Sequence, residues 1–407
     1  MKSLVGFYGK IPLILKIAVG LVIGLCLGVF LPEATFVSIF GEIFVGALKA
    51  IAPILVFVLV IASLAKAGQG IGKRFGMVIF YYMLSTFLAA ALAVLASFFF
   101  TVEIPLTDAA TGSAPSGLEE VFKTLLNNMV SNPLKAIIDG NYVGILTWSV
   151  ILGLALRNVA SEKTKDVLSD LSDGVSKVVG WVIQLAPFGI MGIVFSSVSE
   201  YGIEIFKDYG MLLAVLVGCM LGIALIVDPL IVGISLKRNP YPLVFRCFKE
   251  SGITAFFTRS SAANIPVNMS LCEKLGLDKE YYSVAIPLGA TINMDGAAIT
   301  ITVLSLTAAF STGVEVSIFM ALLLSFLATL GACGASGVAG GSLLLVPMAC
   351  SLLGVDADIA MQMVGVGFII SVVQDSLETA INSSGDVLFC ATAEFRERIK
   401  NGEKVEF

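Results

Sequence analysis

Residues 316–354 read VSIFMALLLSFLATLGACGASGVAGGSLLLVPMACSLLG. Two apolar arms flank a centre of Gly, Ala and Ser at 331–342. Each arm is shorter than the roughly 20 residues that cross a bilayer. A single crossing with this centre would leave backbone polar groups unpaired in hydrocarbon. The stretch therefore predicts a helical hairpin that enters a membrane and returns. Its irregular tip must be buried in protein or line a wet cavity. Residues 243–271 repeat the plan, with TRSSAANIP at 258–266 between two apolar arms.

Composition agrees with a membrane setting. Of 407 residues, 57% are hydrophobic and only 14% charged, against about a quarter charged in soluble domains. The mean hydropathy is +0.97. Long apolar runs without alternation exclude a β-barrel and leave an all-α polytopic membrane protein. Histidine is absent, which removes Ser/His/Asp hydrolysis, His-ligated zinc or haem, and imidazole proton relays. The seven cysteines are scattered without a CxxC pair and read as small core residues. The net charge of −5 with no basic cluster gives no sign of nucleic acid as a partner.

Working outward from the hairpins, apolar segments predict eight crossings near 11–31, 38–65, 75–100, 141–156, 175–198, 209–235, 282–311 and 359–393, with 127–140 extending the short fourth. The first, preceded by Lys2 and Lys10 and lacking a cleavage site, reads as a retained helix. With a cytoplasmic N-terminus, the internal connections carry Lys66, Lys73, Arg74, Arg157, Lys163, Lys165, Lys237 and Arg238, and the tail adds Arg396, Arg398 and Lys400. The external ones carry Glu33, Glu103, Asp108, Glu119, Glu120, Glu200, Glu204 with Lys207, and Glu315. This positive-inside pattern puts both termini in the cytoplasm. Counting either hairpin as a crossing would break the alternation. Each hairpin is followed by a helix with a polar centre, GATINMDG in 282–311 and QDSLETAINSSGD in 359–393. One hairpin enters from each side, which is an inverted-topology repeat with its site at the midplane.

Those polar centres carry the chemistry. Asp295 in NMDG is a carboxylate deep in an apolar helix, and Gly296 can relax the helix and expose carbonyls. A cation held by both would offset the cost of burial. In the last helix Asp375, Thr379, Asn382 and Asp386 follow at spacings of 4, 3 and 4, one stripe about three turns long, with Glu378 at its edge. Asp295, Asp375, Glu378 and Asp386 are four acids at this depth; Arg259 is the basic residue there, able to pair with Asp375 or Glu378. The unmatched negative charge invites cations or protons. Ser260, Ser261 and Asn264 add donors at the first tip, and short-helix N-termini favour a carboxylate. The glycine-rich second tip reads as a gate. Tyr82, Ser85 and Thr86 form a local polar patch in the third span. On these residues alone a carrier, an ion channel and an intramembrane aspartyl protease with paired acids all remain open.

SSAANIP at 260–266, PLGATINMDG at 287–296, GASGVAGGS at 334–342 and NSSGD ending at Asp386 resemble the dicarboxylate/amino-acid:cation symporter family, which includes the glutamate transporters. The resemblance spans essentially the whole chain, and QDSLETAINSSGD is similar to the bacterial sodium-coupled serine/threonine branch. It implies a homotrimer in the bacterial cytoplasmic (inner) membrane, in contact with lipid. Each protomer would have eight transmembrane helices and two re-entrant hairpins in an elevator fold. The scaffold would be 1–74 and 101–200, and the moving transport part 75–100 and 201–395, with a cytoplasmic tail at 396–407.

The resemblance also implies Na+ as coupling ion. One sodium would take the Asp386 carboxylate and carbonyls of Gly289, Asn293 and Asn382. A second would lie among Tyr82, Ser85, Thr86, Asn293 and Asp295. A third would take carbonyls of Thr291, Ala332, Cys333 and Ala335. The substrate amine would meet Asp375, and its carboxylate would meet Ser260, Ser261, the second tip at Val338 and Gly340, and Asn382. Thr379 would touch the amine or side chain. Family members for acidic substrates carry Arg where this chain has Glu378, so a short hydroxylated side chain, that of serine or threonine, fits better. Ala262 and Ala263 replace Ser and Gly of many members, and Ala339 replaces Pro. The implied activity is sodium-coupled serine and threonine import, with a broader neutral amino-acid exchanger, or a proton-coupled or acidic-substrate relative, as alternatives.

Overall fold

The computed structural model of the chain describes residues 13–66, 72–106, 123, 126–333, 335, 340–403 and 405. The expected loop charges at Lys2, Lys10, Asp108, Glu119 and Glu120, and the expected contact at Val338, lie outside these residues. No strand occurs among the described residues. The chain runs through α1 (Leu13–Phe30), α2 (Ser38–Lys66), α3 (Gly72–Phe99), α4 (Pro133–Asp139), α5 (Tyr142–Val159), α6 (Glu162–Ile183), α7 (Ala186–Tyr201), α8 (Ile205–Gly222) and α9 (Asp228–Leu236). It continues as α10 (Tyr241–Cys247), α11 (Ile253–Thr258), α12 (Ser261–Lys274), α13 (Lys279–Ile292), α14 (Asp295–Ser311), α15 (Ile318–Ala332), α16 (Val346–Leu352) and α17 (Ala357–Lys400).

By length and composition, five helical stretches among the described residues can cross a membrane, or six if α6 and α7 count as one broken span. Side chains such as Leu15, Val19, Val22, Phe36 and Ile43 on α1, α2 and their junction are exposed. An apolar exterior of this kind suits lipid rather than water. The molecule is a multi-pass membrane protein.

Helix α2 packs on α5, α6 and α7, and α1 packs on α7. Glycine makes the last contact possible. Gly20, Gly24 and Gly28 recur every fourth residue and share one face of α1. A Cβ at Gly20 would overlap the Pro187 carbonyl oxygen, and one at Gly24 would overlap that of Met191. Such small-residue stripes let backbones approach where no hydrophobic force drives association. Gly24→Ile will force α1 off α7 and destabilise the protein by about 1–3 kcal/mol. Thermal unfolding in detergent checks this, and an unchanged midpoint would contradict the packing.

The second layer surrounds α14. Every residue of α14 from Asp295 to Ala309 is buried, as befits an apolar helix with neighbours on all sides. Those neighbours are α3, α8, α15, α16 and α17. Helix α17 runs unbroken for 44 residues, about 66 Å at 1.5 Å per residue.

Four boundaries differ from expectation. The crossing expected at 175–198 is two helices, α6 and α7, meeting at 51°. Proline stands in the first turn of α7, where its missing N–H is harmless but an incoming helix cannot continue regularly. The segment 127–140 does not extend the fourth span, because Gly140, at φ 65°, ends α4 before α5 begins. The span 282–311 is broken into α13 and α14 by Asn293 and Met294. The expected tail from 396 begins as helix, since α17 continues to Lys400.

Both interrupted stretches fold as two helical arms separated by a break among the described residues. In the first, Arg259 takes the left-handed conformation (φ 52°, ψ 35°) and its N–H closes α11 on the Ala255 carbonyl at 2.8 Å. Ser260 then caps α12, accepting from the Ala263 N–H at 3.2 Å. In the second, α15 ends at Ala332, Gly340 has φ 73°, and a 3-10 turn at Ser342–Leu345 leads into α16.

Candidate functional site

The centre of α17 faces the break between α13 and α14. Asn293 (φ −93°, ψ 86°) and Met294 (φ −127°, ψ 50°) leave helical geometry, and Asp295 opens α14. The break suits a sequence whose next residue is Asp, because a carboxylate at a helix start meets the positive end of the helix dipole. Asp375, Glu378, Thr379, Asn382 and Asp386 are all buried, so the predicted stripe faces protein.

Three polar clusters result. In the first, Asn293 Nδ2 donates to the Asn382 carbonyl at 3.0 Å and to Asp386 Oδ1 at 3.2 Å. The Tyr82 hydroxyl donates to the Asp386 carbonyl at 3.0 Å. Gly289 presses so close that a Cβ there would meet Asp386 Oδ1 at 2.8 Å. The Gly296 N–H donates to Asn382 Oδ1 at 2.8 Å, tying α14 to α17. Two residues of α12 complete this cluster: Asn264, expected as a donor, and Asn268, which the sequence reading missed. Asn268 on α12 donates to the Ser383 carbonyl at 3.0 Å and reaches Asp386 Oδ2 at 3.4 Å. Asn264 reaches the Ser383 hydroxyl at 2.8 Å. The i, i+4 spacing of Asn268 from Asn264 was the available signal for the missed residue.

The second cluster centres on Asp295. Thr86 Oγ1 donates to its Oδ1 at 2.9 Å, and Ser85 Oγ lies 2.7 Å from its Oδ2. The same Ser85 oxygen lies 2.6 Å from Asp228 Oδ1 on α9. Asp228 is buried and follows a π-helical turn at Ile223–Val227. The sequence reading missed it, although an acid inside the apolar run 223–236 obeys the rule that singled out Asp295. The single Ser85 proton serves only one of the two facing carboxylates, and a cation or a proton between them would ease their repulsion. Asn293 Oδ1, two residues away, is buried and accepts no hydrogen bond. Carboxylates, hydroxyls and an orphan carbonyl oxygen are the hard donor set a small cation such as sodium takes.

Around the nearby end of α15, Cys333 Sγ lies 3.8 Å from the Ile292 carbonyl oxygen. The Ala335 N–H donates to Ala332 at 2.9 Å. Thr291 spends its hydroxyl on the Leu288 carbonyl at 2.7 Å. This brings Ala332, Cys333 and Ala335 to the same break as Thr291.

The third cluster joins the two tips. Arg259 Nε donates to Asp375 Oδ2 at 2.6 Å, and the Gly340 N–H donates to Asp375 Oδ1 at 3.1 Å. One carboxylate thus holds both hairpins. Arg259 pairs with Asp375 and not with Glu378. Ser261 is buried at the start of α12. The Thr379 hydroxyl donates to the Asp375 carbonyl at 2.8 Å. Glu378 Oε2 accepts from Gln374 Nε2 at 2.5 Å, Thr300 Oγ1 at 2.7 Å and Ser342 Oγ at 2.9 Å.

Two interrupted stretches thus meet on one buried carboxylate, beside oxygen-rich clusters at a helix break, inside a multi-pass membrane protein, and the class they fit, a membrane transporter, is settled by the family. Residues 13–394 match the sodium:dicarboxylate symporter family, and the chain belongs to that family. It is similar to the serine/threonine transporter SstT of Bifidobacterium adolescentis, 57% identical over 100% of this chain and 94% of that protein. The same-named transporters of Streptococcus agalactiae and Enterococcus faecalis are each 55% identical. They cover 97% and 98% of this chain and 98% and 94% of their own lengths. The protein is a transporter and not an enzyme, which removes the aspartyl-protease alternative.

Proposed function

We propose that this chain imports serine and threonine across the cytoplasmic membrane with sodium, moving its second layer as an elevator against a trimeric scaffold. In this reading each protomer has eight transmembrane helices and two re-entrant hairpins, with both termini cytoplasmic. The observation that carries the site assignment is Asp375, gripped by both tips. A substrate amine competes with Arg259 for that carboxylate. The substrate carboxylate meets the first turn of α12 at Ser260 and Ser261, with Asn382 beside them. Glu378 receives the side-chain hydroxyl. An acidic substrate would set its second carboxylate against Glu378, which costs affinity where no cation intervenes. The names of the relatives support the choice of serine and threonine.

Sodium would sit at the Asp386 and Asp295 clusters and beside Cys333. Filling these sites would hold the α13–α14 break and α17 in register. The second tip would then close only over a filled site, which is the condition for coupling, since a carrier that closes on ions alone leaks them. Labelled-serine uptake into proteoliposomes tests the reading. An inward sodium gradient is expected to raise the initial rate at least about tenfold. Equal rates with and without the gradient would end the coupling claim.

A further inference from the structure

Glu378 has no basic partner among the hydrogen bonds and ion pairs of the described residues; three neutral donors hold it, and all three converge on one oxygen. Gln374 Nε2 reaches both Glu378 Oε2, at 2.5 Å, and Thr300 Oγ1, at 2.8 Å. Thr300, so held, passes its own proton to Oε2 at 2.7 Å. The Ser342 hydroxyl completes the set at 2.9 Å. Thr300, Ser342 and Gln374 are each at most 1% exposed, and Glu378 is 6% exposed. The three donors come from three places: α14, the second hairpin just past its tip, and α17 itself.

This arrangement has a directional consequence. A carboxylate oxygen accepting three donors has no room for a fourth, so a ligand hydroxyl must use Oε1. The cradle fixes the torsion of the carboxylate and thereby aims Oε1. Gln374 cannot turn over to help, because its Oε1 would then face the carboxylate. In its present orientation that oxygen is buried without a donor, a cost a protein bears only where the other end of the amide is needed. Ser342 differs from the other two donors because it comes from the second interrupted stretch, in the 3-10 turn at Ser342–Leu345.

We propose that Ser342, with Thr300 and Gln374, is a specificity-positioning residue: it orients the Glu378 carboxylate toward a substrate hydroxyl. The proposal rests on the reading of serine and threonine as substrates. It predicts selectivity that depends on a residue that does not touch substrate. Hydrogen bonds to charged groups are worth enough that misaiming one costs about tenfold in affinity.

The experiment measures competition by unlabelled serine and by alanine, which lacks the hydroxyl, against labelled-serine uptake in proteoliposomes with a sodium gradient. In Ser342→Ala the serine constant is expected to rise about tenfold, while the alanine constant stays within about twofold and the maximal rate is kept. Ser342→Thr, which retains the hydroxyl, is expected to restore serine preference. An unchanged ratio of the two constants, whether both weaken or neither does, overturns the proposal. If Ser342→Ala yields no folded protein, the same ratio in Thr300→Val decides. Failure of the underlying reading is separate and visible first, as wild-type protein that does not take up serine with sodium.

Discussion

Replacing Asp295 with Asn will lower sodium-driven serine uptake at least about a hundredfold at fixed expression, equivalent to about 2.8 kcal/mol. The carboxylate is 0% exposed and is approached by Ser85 and Thr86 at 2.7 and 2.9 Å. Its burial without a cation is unfavourable by several kcal/mol, so the fold stores a demand that an ion satisfies. Asn keeps the shape and removes the demand. Thr86 can keep donating to the amide oxygen, while Ser85 accepts from the amide NH2 and donates to Asp228, so the loss falls on ion affinity and not on packing. Asp228→Asn tests the same cluster more gently. It leaves Asp295 charged and relieves the crowding around the Ser85 oxygen, 2.6 Å from Asp228. The expected result is full maximal uptake reached only at about tenfold higher sodium, because one of two charges attracting the ion is gone. Uptake measured against sodium concentration separates the two variants. Wild-type sodium dependence in Asp295→Asn would exclude the cluster from coupling.

The contrast between Asp295 and Asp228 shows where the sequence was legible. Periodicity exposed the α17 stripe, because spacings of 4, 3 and 4 select one helical face whatever surrounds it. NMDG suggested a helix relaxed at Gly296, whereas the chain leaves helical geometry just before it, at Asn293 and Met294, and the two interrupted apolar stretches announced helix–break–helix units, because small and polar residues in a membrane-length run admit few other structures. Asp228 has no periodic partner and stands before Pro229, so it reads like a loop boundary. The π-helical turn at Ile223–Val227 resets which face of the helix follows, and no hydropathy pattern records that. The bend between α6 and α7 was hidden for a related reason: apolar character continues across it. Tertiary choices were the least visible. Arg259 had two acids to choose from, and the decision lies in the left-handed tip geometry. Glu378 read as an edge residue open to substrate, yet one of its oxygens is fully engaged by residues 78, 36 and 4 positions away. Contacts of that kind depend on how helices assemble, and a single sequence does not encode them in any local pattern.

Asp375→Asn will abolish serine-induced thermal stabilisation in saturating sodium and destabilise the unliganded protein by about 3–5 kcal/mol. The second effect follows from Arg259. Its side chain is 12% exposed and that of Asp375 is 3% exposed, with Nε and Oδ2 at 2.6 Å. Removing one partner of such a pair leaves a buried charge without compensation. Arg259 also holds a left-handed backbone at φ 52°, a strained state for a side-chain-bearing residue that its surroundings must maintain. The first effect needs a separate control, because a destabilised carrier also binds poorly. Arg259→Ala provides it. That variant breaks the same ion pair and loosens the same tip, but it leaves the carboxylate in place for an incoming amine. It therefore keeps serine-induced stabilisation, and because the amine no longer displaces a guanidinium, half-maximal stabilisation comes at lower serine than in wild type. If Arg259→Ala loses the response as completely as Asp375→Asn, the tips need the ion pair itself and the amine is read elsewhere. If Asp375→Asn keeps the response, Asp375 serves to join the hairpins and does not bind substrate. The two variants together separate a carboxylate that recognises the amine from one that only fastens the gate.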